Sequence, residues 1–563
     1  MRKNIIINKK VLFLIIVLIF ILPPKVQADI SEPEYSEQYK IWLNLSEKER
    51  TKYIEPIKYK IEYINSNTGK RRMLKSSINS SFDLRNVISG MKVKNQKTTS
   101  ECWAFSIMSS LETNLCLLNN TNYIYDFSER HMDYSTSLTF KDNVKNPIGF
   151  NRELGTGGSA LMAYAYLTNG MGGIKEKDMP FEDNEDKIYI SEIQNKNVCT
   201  KVNDWVVFPS INSTDTESEK IEKRNMIKNH IQKYGSVFTS IYTLGNFYNY
   251  YNKETCAYYV PNEKLGDHGV SIIGWDDNYS IENFNSQNRP QNPGAYIVRN
   301  SWGEQNSAEN AVDNGYLYIS YEDSVIGNIL TGIIDSEDRV LYDELYQYDK
   351  LGINSDITMN TSKIYAANVF ERESNQKEFL TEISVAMLSP QKCNVYVNAT
   401  GGEISKSNLN LVYSGGQVLT TGYHTLELDN PVELTGDKFA VIVEYEGISG
   451  ISTVGVEDIN QSTYSTATSA SEQSYVSGEL GSNWIDLNET GRIACIKAFT
   501  NIANGDIDKN NSITINDLAL LRKYILGTKI LEKEQQVKSD LDGNGKVTLN
   551  DMAKLRRKIL EKN

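Results

Sequence analysis

The sequence predicts a multidomain chain: a mixed α+β region first, an antiparallel β-sandwich next and a small helical module last. Three observations predict it. A polar loop, Asn95 to Glu101, runs into a helix-compatible stretch beginning at Cys102, and apolar strand-like runs follow at Val270–Trp275 and Ala295–Val298. From about Leu341 to Thr500, short β-prone runs alternate with Gly, Asn and Ser turns. At the end, an acidic loop followed by a leucine-rich helix occurs twice, 34 residues apart. At 563 residues there is chain enough for several domains. The formal charge of −13 argues against nucleic acid or an anionic membrane as the main partner.

Residues 1–28 read as a secretory signal. Arg2, Lys3, Lys9 and Lys10 give a basic start, Val11 to Leu22 is uninterrupted apolar sequence, and Val26-Gln27-Ala28 suits cleavage. The other reading is a membrane anchor, but the apolar run is short of the roughly 20 residues a span needs. With no second candidate span, the expected mature chain is soluble and extracellular. Residues 29–80 are polar and helix-prone, anchored by Tyr39, Ile41, Trp42 and Leu43, with a basic run at Lys70-Arg71-Arg72.

The stretch after Cys102 puts Ala104, Phe105, Met108, Leu111 and Leu115 on or near one helical face, with Cys102 at the N-terminus. There the free N–H groups and the macrodipole favour a thiolate. A buried core cysteine is the plainer reading. The remaining cysteines, Cys116, Cys199, Cys256, Cys393 and Cys495, show neither a disulfide framework nor a Cys-x-x-Cys zinc pair. Of the four histidines, only His268 opens an apolar strand; His230 sits in a charged helical stretch and His424 lies far downstream.

Three motifs in order, Gln96 to Ser106 around Cys102-Trp103-Ala104-Phe105-Ser106, Gly266-Asp267-His268-Gly269-Val270 and Val298-Arg299-Asn300-Ser301-Trp302-Gly303, resemble the papain family of cysteine peptidases over roughly residues 81–335. His131, after Ser128-Glu129-Arg130, falls in a stretch resembling a noncatalytic part of that family. The resemblance implies a two-lobed fold, one lobe helical and one like a β-barrel. It implies Cys102 as nucleophile, His268 as the base that activates it, and Asn300 as the group that orients the imidazole. Trp302 would cover the His–Asn bond and border the substrate site. Gln96, six residues before Cys102, matches the oxyanion-hole glutamine. Gly157-Gly158 matches the glycine pair that lets a substrate backbone pair along the cleft, although a simple turn explains the pair as well. Residues 29–80 would be a propeptide filling the cleft, or else an ordinary N-terminal extension.

There are departures. Lys97-Thr98-Thr99-Ser100-Glu101 replaces the family's glycine-serine-cysteine-glycine run, so its usual disulfide must be absent. Glu101 should oppose thiolate formation if it points inward. His268 and Asn300 lie 166 and 198 residues after Cys102, beyond the usual spacing of about 130–150. The insertions this implies are the Asn-rich stretches Lys141–Glu153, Asn278–Asn292 and Glu304–Asn314, which read as loops; one of them could block an end of the cleft.

Residues 340–500 carry β runs at Ile383–Leu388, Cys393–Val397, His424–Leu428, Phe439–Tyr445 and Ile493–Phe499. Gly436-Asp437-Lys438-Phe439-Ala440-Val441 and Cys495 to Thr500 resemble the lectin-like domain of some bacterial papain homologues. That implies possible carbohydrate contact, or a structural or substrate-positioning role, with no binding residue to name.

In residues 501–563, Asp506, Asp508, Asn510 and Asp517 are echoed by Asp540, Asp542, Asn544 and Asp551. Oxygen side chains at loop positions 1, 3, 5 and 12 are EF-hand-like calcium geometry, one ion per loop. Helices are expected at Leu518–Leu526 and Met552–Leu560. Position 6 is Gly545 in the second loop and Asn511 in the first, which predicts weaker binding by the first. The pair resembles a dockerin, the module that binds a cohesin domain on a scaffold protein. The whole reads as a secreted peptidase acting on peptides or proteins and attached to an extracellular complex. The alternatives are a catalytically silent binding or adhesion protein on the peptidase fold, and an acyl-transferase using the same triad.

Overall fold

The protein is described from a computed structural model covering residues 34–61, 78–122, 125–138, 149–182, 197–245, 247–304 and 315–562, apart from 360, 375, 449, 460–467, 511 and 543. The expectations for residues 1–28, Lys70–Arg72, Asn511 and most of two insertions lie outside the described residues.

The Cys102–Leu118 helix is the axis of the first region. The sequence suggests one apolar face, yet Trp103, Ala104, Ile107, Met108, Leu111, Thr113, Asn114 and Leu115 are all buried. A helix buried all round must be packed on every side. The strands His268–Asp276 and Thr331–Glu337 lie against it, as do the helices Glu129–Ser135, Ala160–Thr168 and Glu217–Tyr234. Its polar members are satisfied internally: the Asn114 amide donates to the Tyr234 and Ile333 carbonyls at 2.8 and 3.1 Å.

Strand order in the main sheet places the site. His268–Asp276 pairs antiparallel with Val237–Ile241 on one side and with Ala295–Arg299 on the other. Ser271 stands opposite Arg299, so the chain leaves the sheet at Asn300 beside the start of the His268 strand.

The same sheet does not stop at the end of this region. Its thirteen strands run on from Thr331–Glu337 through Lys201–Val207 to Gly422–Leu434, Glu378–Met387, Ile496–Ile502 and Glu344–Tyr346. The crossing point is a short ladder, Gly422↔Val206, Tyr423↔Trp205 and His424↔Asp204. Gly422 has φ +146°, and a Cβ there would lie 1.9 Å from the Trp205 carbonyl, so only glycine fits the approach. Trp205 stacks on Tyr164 at 4.4 Å, and the Tyr423 ring lies parallel to it at 6.5 Å. His424 Nδ1 meets Asp204 at 2.6 Å, and Lys201 pairs with Glu382. One apolar core holds Trp103, Met108 and Tyr164 together with Leu351, Ile353, Leu388, Tyr423 and Cys495.

Beyond the junction, strands are predominantly antiparallel. A six-stranded sheet and a three-stranded sheet accompany the shared one. Phe439, Val441, Val443 and Tyr445 of the six-stranded sheet share a core with Ile383 and Val385 of the shared sheet and with Ile357 and Val454 of the three-stranded one.

Three helices, Ile515–Ile525, Lys533–Ser539 and Leu549–Lys562, form the last region around a small core of Ile507, Leu521, Leu531 and Leu555. Both acidic-loop helices start three residues earlier than the leucine pattern suggests, at Ile515 and Leu549, because the first is capped by Thr514 and Asp517, and Thr548 bonds Asp551 in the same way. Lys538 pairs with Asp343, Arg339 with Glu532 and Lys533 with Glu427, which ties this region to the preceding one. All six cysteines are free thiols. Among the described residues, no helix is long and apolar enough to cross a membrane.

Candidate active site

Cys102 is the first residue of its helix, and the side chain of Glu101 at the cap position makes no capping bond. Gly269, next to His268, lies against this helix start: a Cβ there would sit 3.2 Å from the Cys102 carbonyl and the Trp103 nitrogen. That close approach brings the two motifs to one place. His268 Nε2 is 2.7 Å from Asn300 Oδ1, which also accepts the Ser301 N–H at 2.8 Å. Trp302 stacks on the His268 ring with centroids 4.7 Å apart, and Phe247 meets Trp302 edge-on at 5.8 Å. Cys102, His268 and Asn300 are all buried.

Gln96 joins the group through Ser301. Its Oε1 accepts the Ser301 hydroxyl at 2.6 Å, and its Nε2 donates to the Thr99 carbonyl at 2.7 Å, leaving one amide hydrogen. Gly158 faces the Trp103 ring, where a Cβ would come within 2.6 Å. Gly157 faces the N-terminal segment, with Thr51 O nearest. On the opposite wall the Ile54 N–H donates to the Gly266 carbonyl at 2.9 Å. Ile54, Ile57 and Tyr59 share the core that holds Trp103, Ala160 and Met162. The segment around Thr51–Tyr59 therefore lies between the Gly157–Met162 wall and Gly266.

Burial decides the electrostatics. Helix position alone predicts a lowered thiol, but burial pushes Cys102 up to about 11, and the Gly269 N–H only partly opposes it. Burial takes His268 down to about 4 despite its Asn300 bond. Both shifts favour the neutral forms near pH 7. The other histidines serve packing: His131 Nδ1 bonds the Tyr166 hydroxyl at 2.7 Å, His230 is buried against Phe208, and His424 belongs to the junction.

Glu101 points inward, as the unfavourable alternative required, but toward Asp133. Burial and the Asp133 carboxyl beside it hold Glu101 up to about 10, so it is a neutral acid. Asp133 in turn pairs with Arg152. Sequence reasoning missed Asp133, Arg152, Ser301 and Phe247 as parts of this site. Ser301 was visible within Asn-Ser-Trp-Gly; the others carry no local signal.

In the C-terminal loops, ligand oxygens of Asp506, Asp508 and Asp517 lie within 4.8 Å of one another, as do those of Asp540, Asp542 and Asp551. Asp517 and Asp551 are fully buried. Burial and the neighbouring Asp517 raise the Asp508 carboxyl above its ordinary value. Crowded hard-oxygen donors of this kind fit a calcium ion. The 278–292 insertion packs on the 247–255 region, with Asn288 donating to the Asn249 carbonyl at 2.7 Å and Asn252 to that of Asn283.

A helix-borne cysteine, a strand-borne histidine bonded to an asparagine and a covering tryptophan define a papain-like cysteine protease. The chain contains a papain family cysteine protease domain, a lectin-like domain and a dockerin type I domain, whose family profiles match residues 78–333, 345–500 and 504–560. Among solved structures it is similar to the cysteine protease and lectin-like domains of Cwp84, a surface layer associated protein of Clostridium difficile. Identity is 26%, covering 84% of this chain and 98% of that one, with a TM-score of 0.70. A cysteine-to-alanine variant of the clostridial Cwp84 protease after propeptide cleavage matches at 26% identity over 75% of this chain and 99% of that one, with a TM-score of 0.63. A comparison with curated proteins gave no match.

Proposed function

We propose that the chain is an exported cysteine endopeptidase held on an extracellular complex through its dockerin. The observation that carries the catalytic half is the 2.7 Å bond between His268 and Asn300 under Trp302, beside the helix that starts at Cys102. In this reading His268 takes the Cys102 proton and the sulfur attacks the substrate carbonyl. Asn300 keeps the imidazole aimed, and Trp302 keeps water from that bond. The Cys102 N–H and the remaining Gln96 amide hydrogen stabilise the oxyanion, a donor of this kind contributing on the order of 3 kcal/mol. The imidazolium then protonates the leaving amine, and water hydrolyses the acyl-enzyme.

Residues 29–80 act as the propeptide. Support comes from the segment around Thr51–Tyr59 lying between the two cleft walls, and from the propeptide cleavage described for the similar clostridial protease. The 340–500 region, read as a β-sandwich, is a structural partner of the peptidase. Asp506, Asp508, Asn510 and Asp517 would hold one calcium ion, and Asp540, Asp542, Asn544 and Asp551 a second. Calcium would neutralise the crowded carboxylates and order the two helices for a cohesin partner.

The decisive experiment is Cys102→Ala. It should abolish peptide hydrolysis with the fold intact, and hydrolysis near the wild-type rate would overturn the catalytic assignment. Products formed with added amine nucleophiles distinguish hydrolysis from acyl transfer.

A further inference from the structure

The loop carrying Gly157-Gly158 is held from beneath by a buried ionic cluster. The Arg152 side chain is 1% exposed and that of Asp133 is 3% exposed. Every N–H of the Arg152 guanidinium has an acceptor. Nε donates to the Gly157 carbonyl at 3.2 Å. Nη1 donates to the Asp133 carbonyl at 3.0 Å and to the Thr136 hydroxyl at 3.2 Å. Nη2 donates to the Thr156 carbonyl at 2.9 Å and to the Asp133 carboxylate. Asp133 accepts the Gly155 N–H at 3.1 Å. The guanidinium also lies 5.1 Å from the Trp103 ring centroid, beside the nucleophile. Across the loop base, the Ser100 N–H donates to the Gly155 carbonyl at 2.9 Å.

We propose that Arg152 and Asp133 are positioning residues for substrate binding, fixing the Gly155–Gly158 edge against the Cys102 helix. The proposal rests on reading Cys102 as nucleophile and Gly157-Gly158 as the substrate edge. Two of the carbonyls that Arg152 holds, Thr156 and Gly157, belong to that edge, so their positions set where an incoming peptide backbone can bond. A lysine offers one ammonium and no planar fork, and cannot span these acceptors.

The test uses the mature protease, with concentration fixed by titrating Cys102 with an irreversible thiol reagent, so that loss of folded protein does not enter. Arg152→Lys should raise KM for a peptide substrate about tenfold and leave kcat within about threefold, as a loss of substrate binding does. It should leave KM unchanged for a single-residue ester too short to pair with the glycine edge. Thr136→Val, a milder change removing one acceptor, should raise the peptide KM about two- to threefold, and it carries the test if the lysine variant does not fold. Wild-type peptide KM in every titratable Arg152 and Thr136 variant would overturn the proposal, as would equal losses on the peptide and the ester. Failure of Cys102 to titrate, or activity in Cys102→Ala, would instead overturn the catalytic reading beneath it.

Discussion

The two internal junctions of this chain are built differently. Between the peptidase and the lectin-like domain, a β ladder, a stack of Tyr164, Trp205 and Tyr423 and a common apolar core cross the boundary. Between the lectin-like domain and the dockerin, the ion pairs are Lys538–Asp343, Arg339–Glu532, Lys533–Glu427 and Lys509–Asp343, and the dockerin keeps its own small core. Arg339–Glu532 and Lys533–Glu427 are half-exposed and contribute about 0–1 kcal/mol each, Lys538–Asp343 is the one firmly buried pair, and burying one aromatic side chain contributes several times the half-exposed figure. The first junction should make one cooperative unit of two sequence domains, and the second should leave the dockerin separable.

The largest effect tests the first junction. Deleting residues 340–563 should leave the peptidase misfolded and inactive, because it strips the partner from the Lys201–Val207 strand and opens the core around Trp103. Deleting only 501–563 should leave peptide hydrolysis at the full-length rate. A folded, active peptidase without the lectin-like domain would break the comparison.

Next in size is Tyr423→Ala. It should lower stability by roughly 3–4 kcal/mol, as large-to-small aromatic changes do in cores, and one shared melting transition should move, followed by activity and far-UV circular dichroism. Separate transitions for the two domains would show that the ladder does not couple them.

Covering of the cleft gives a third prediction. Only the thiolate reacts with iodoacetamide. With Cys102 held up to about 11, the full chain should alkylate slowly at pH 7 and faster as pH rises toward that value. Cleaving off the N-terminal segment should rehydrate the thiol, lower its pKa and speed alkylation at pH 7 by about tenfold or more. An unchanged rate would mean that the segment does not set the burial.

The smallest effects belong to the second junction. Chelating calcium, or replacing Asp506 and Asp540 by alanine, should reduce C-terminal helicity and cohesin binding while small-peptide hydrolysis stays constant. Arg339→Gln, which removes the half-exposed pair with Glu532, should cost about 1 kcal/mol or less and be seen only as faster hydrogen exchange in Lys533–Ser539. Loss of hydrolysis on chelation would show that the dockerin is not separable.

What was legible in the sequence was whatever chemistry is written within a dozen residues. Asn-Ser-Trp-Gly after a strand, Asp-His-Gly before one, and the duplicated Asp-x-Asp-x-Asn spacing each need only local order. The Lys201–Val207 strand looks like any half-buried strand, and nothing in it names Gly422–His424 as its partner across more than 200 residues. Arg152 and Asp133 sit in unremarkable polar stretches and acquire meaning only when folding brings them under the glycine turn. The raised thiol likewise reflects burial in the folded chain, which a helix-position argument does not contain.

The continuous sheet also decides how the molecule carries load. The dockerin leaves the lectin-like domain directly from the Ile496–Ile502 strand, which is hydrogen-bonded on both sides, to Glu344–Tyr346 and Glu378–Met387. If the enzyme is held by its C-terminal end in moving fluid, drag on the peptidase and tension from the tether meet along that strand, in shear across both ladders. Under such a load the half-exposed pairs Arg339–Glu532 and Lys533–Glu427 would yield before those ladders. The candidate catalytic residues lie several strands further along the same sheet.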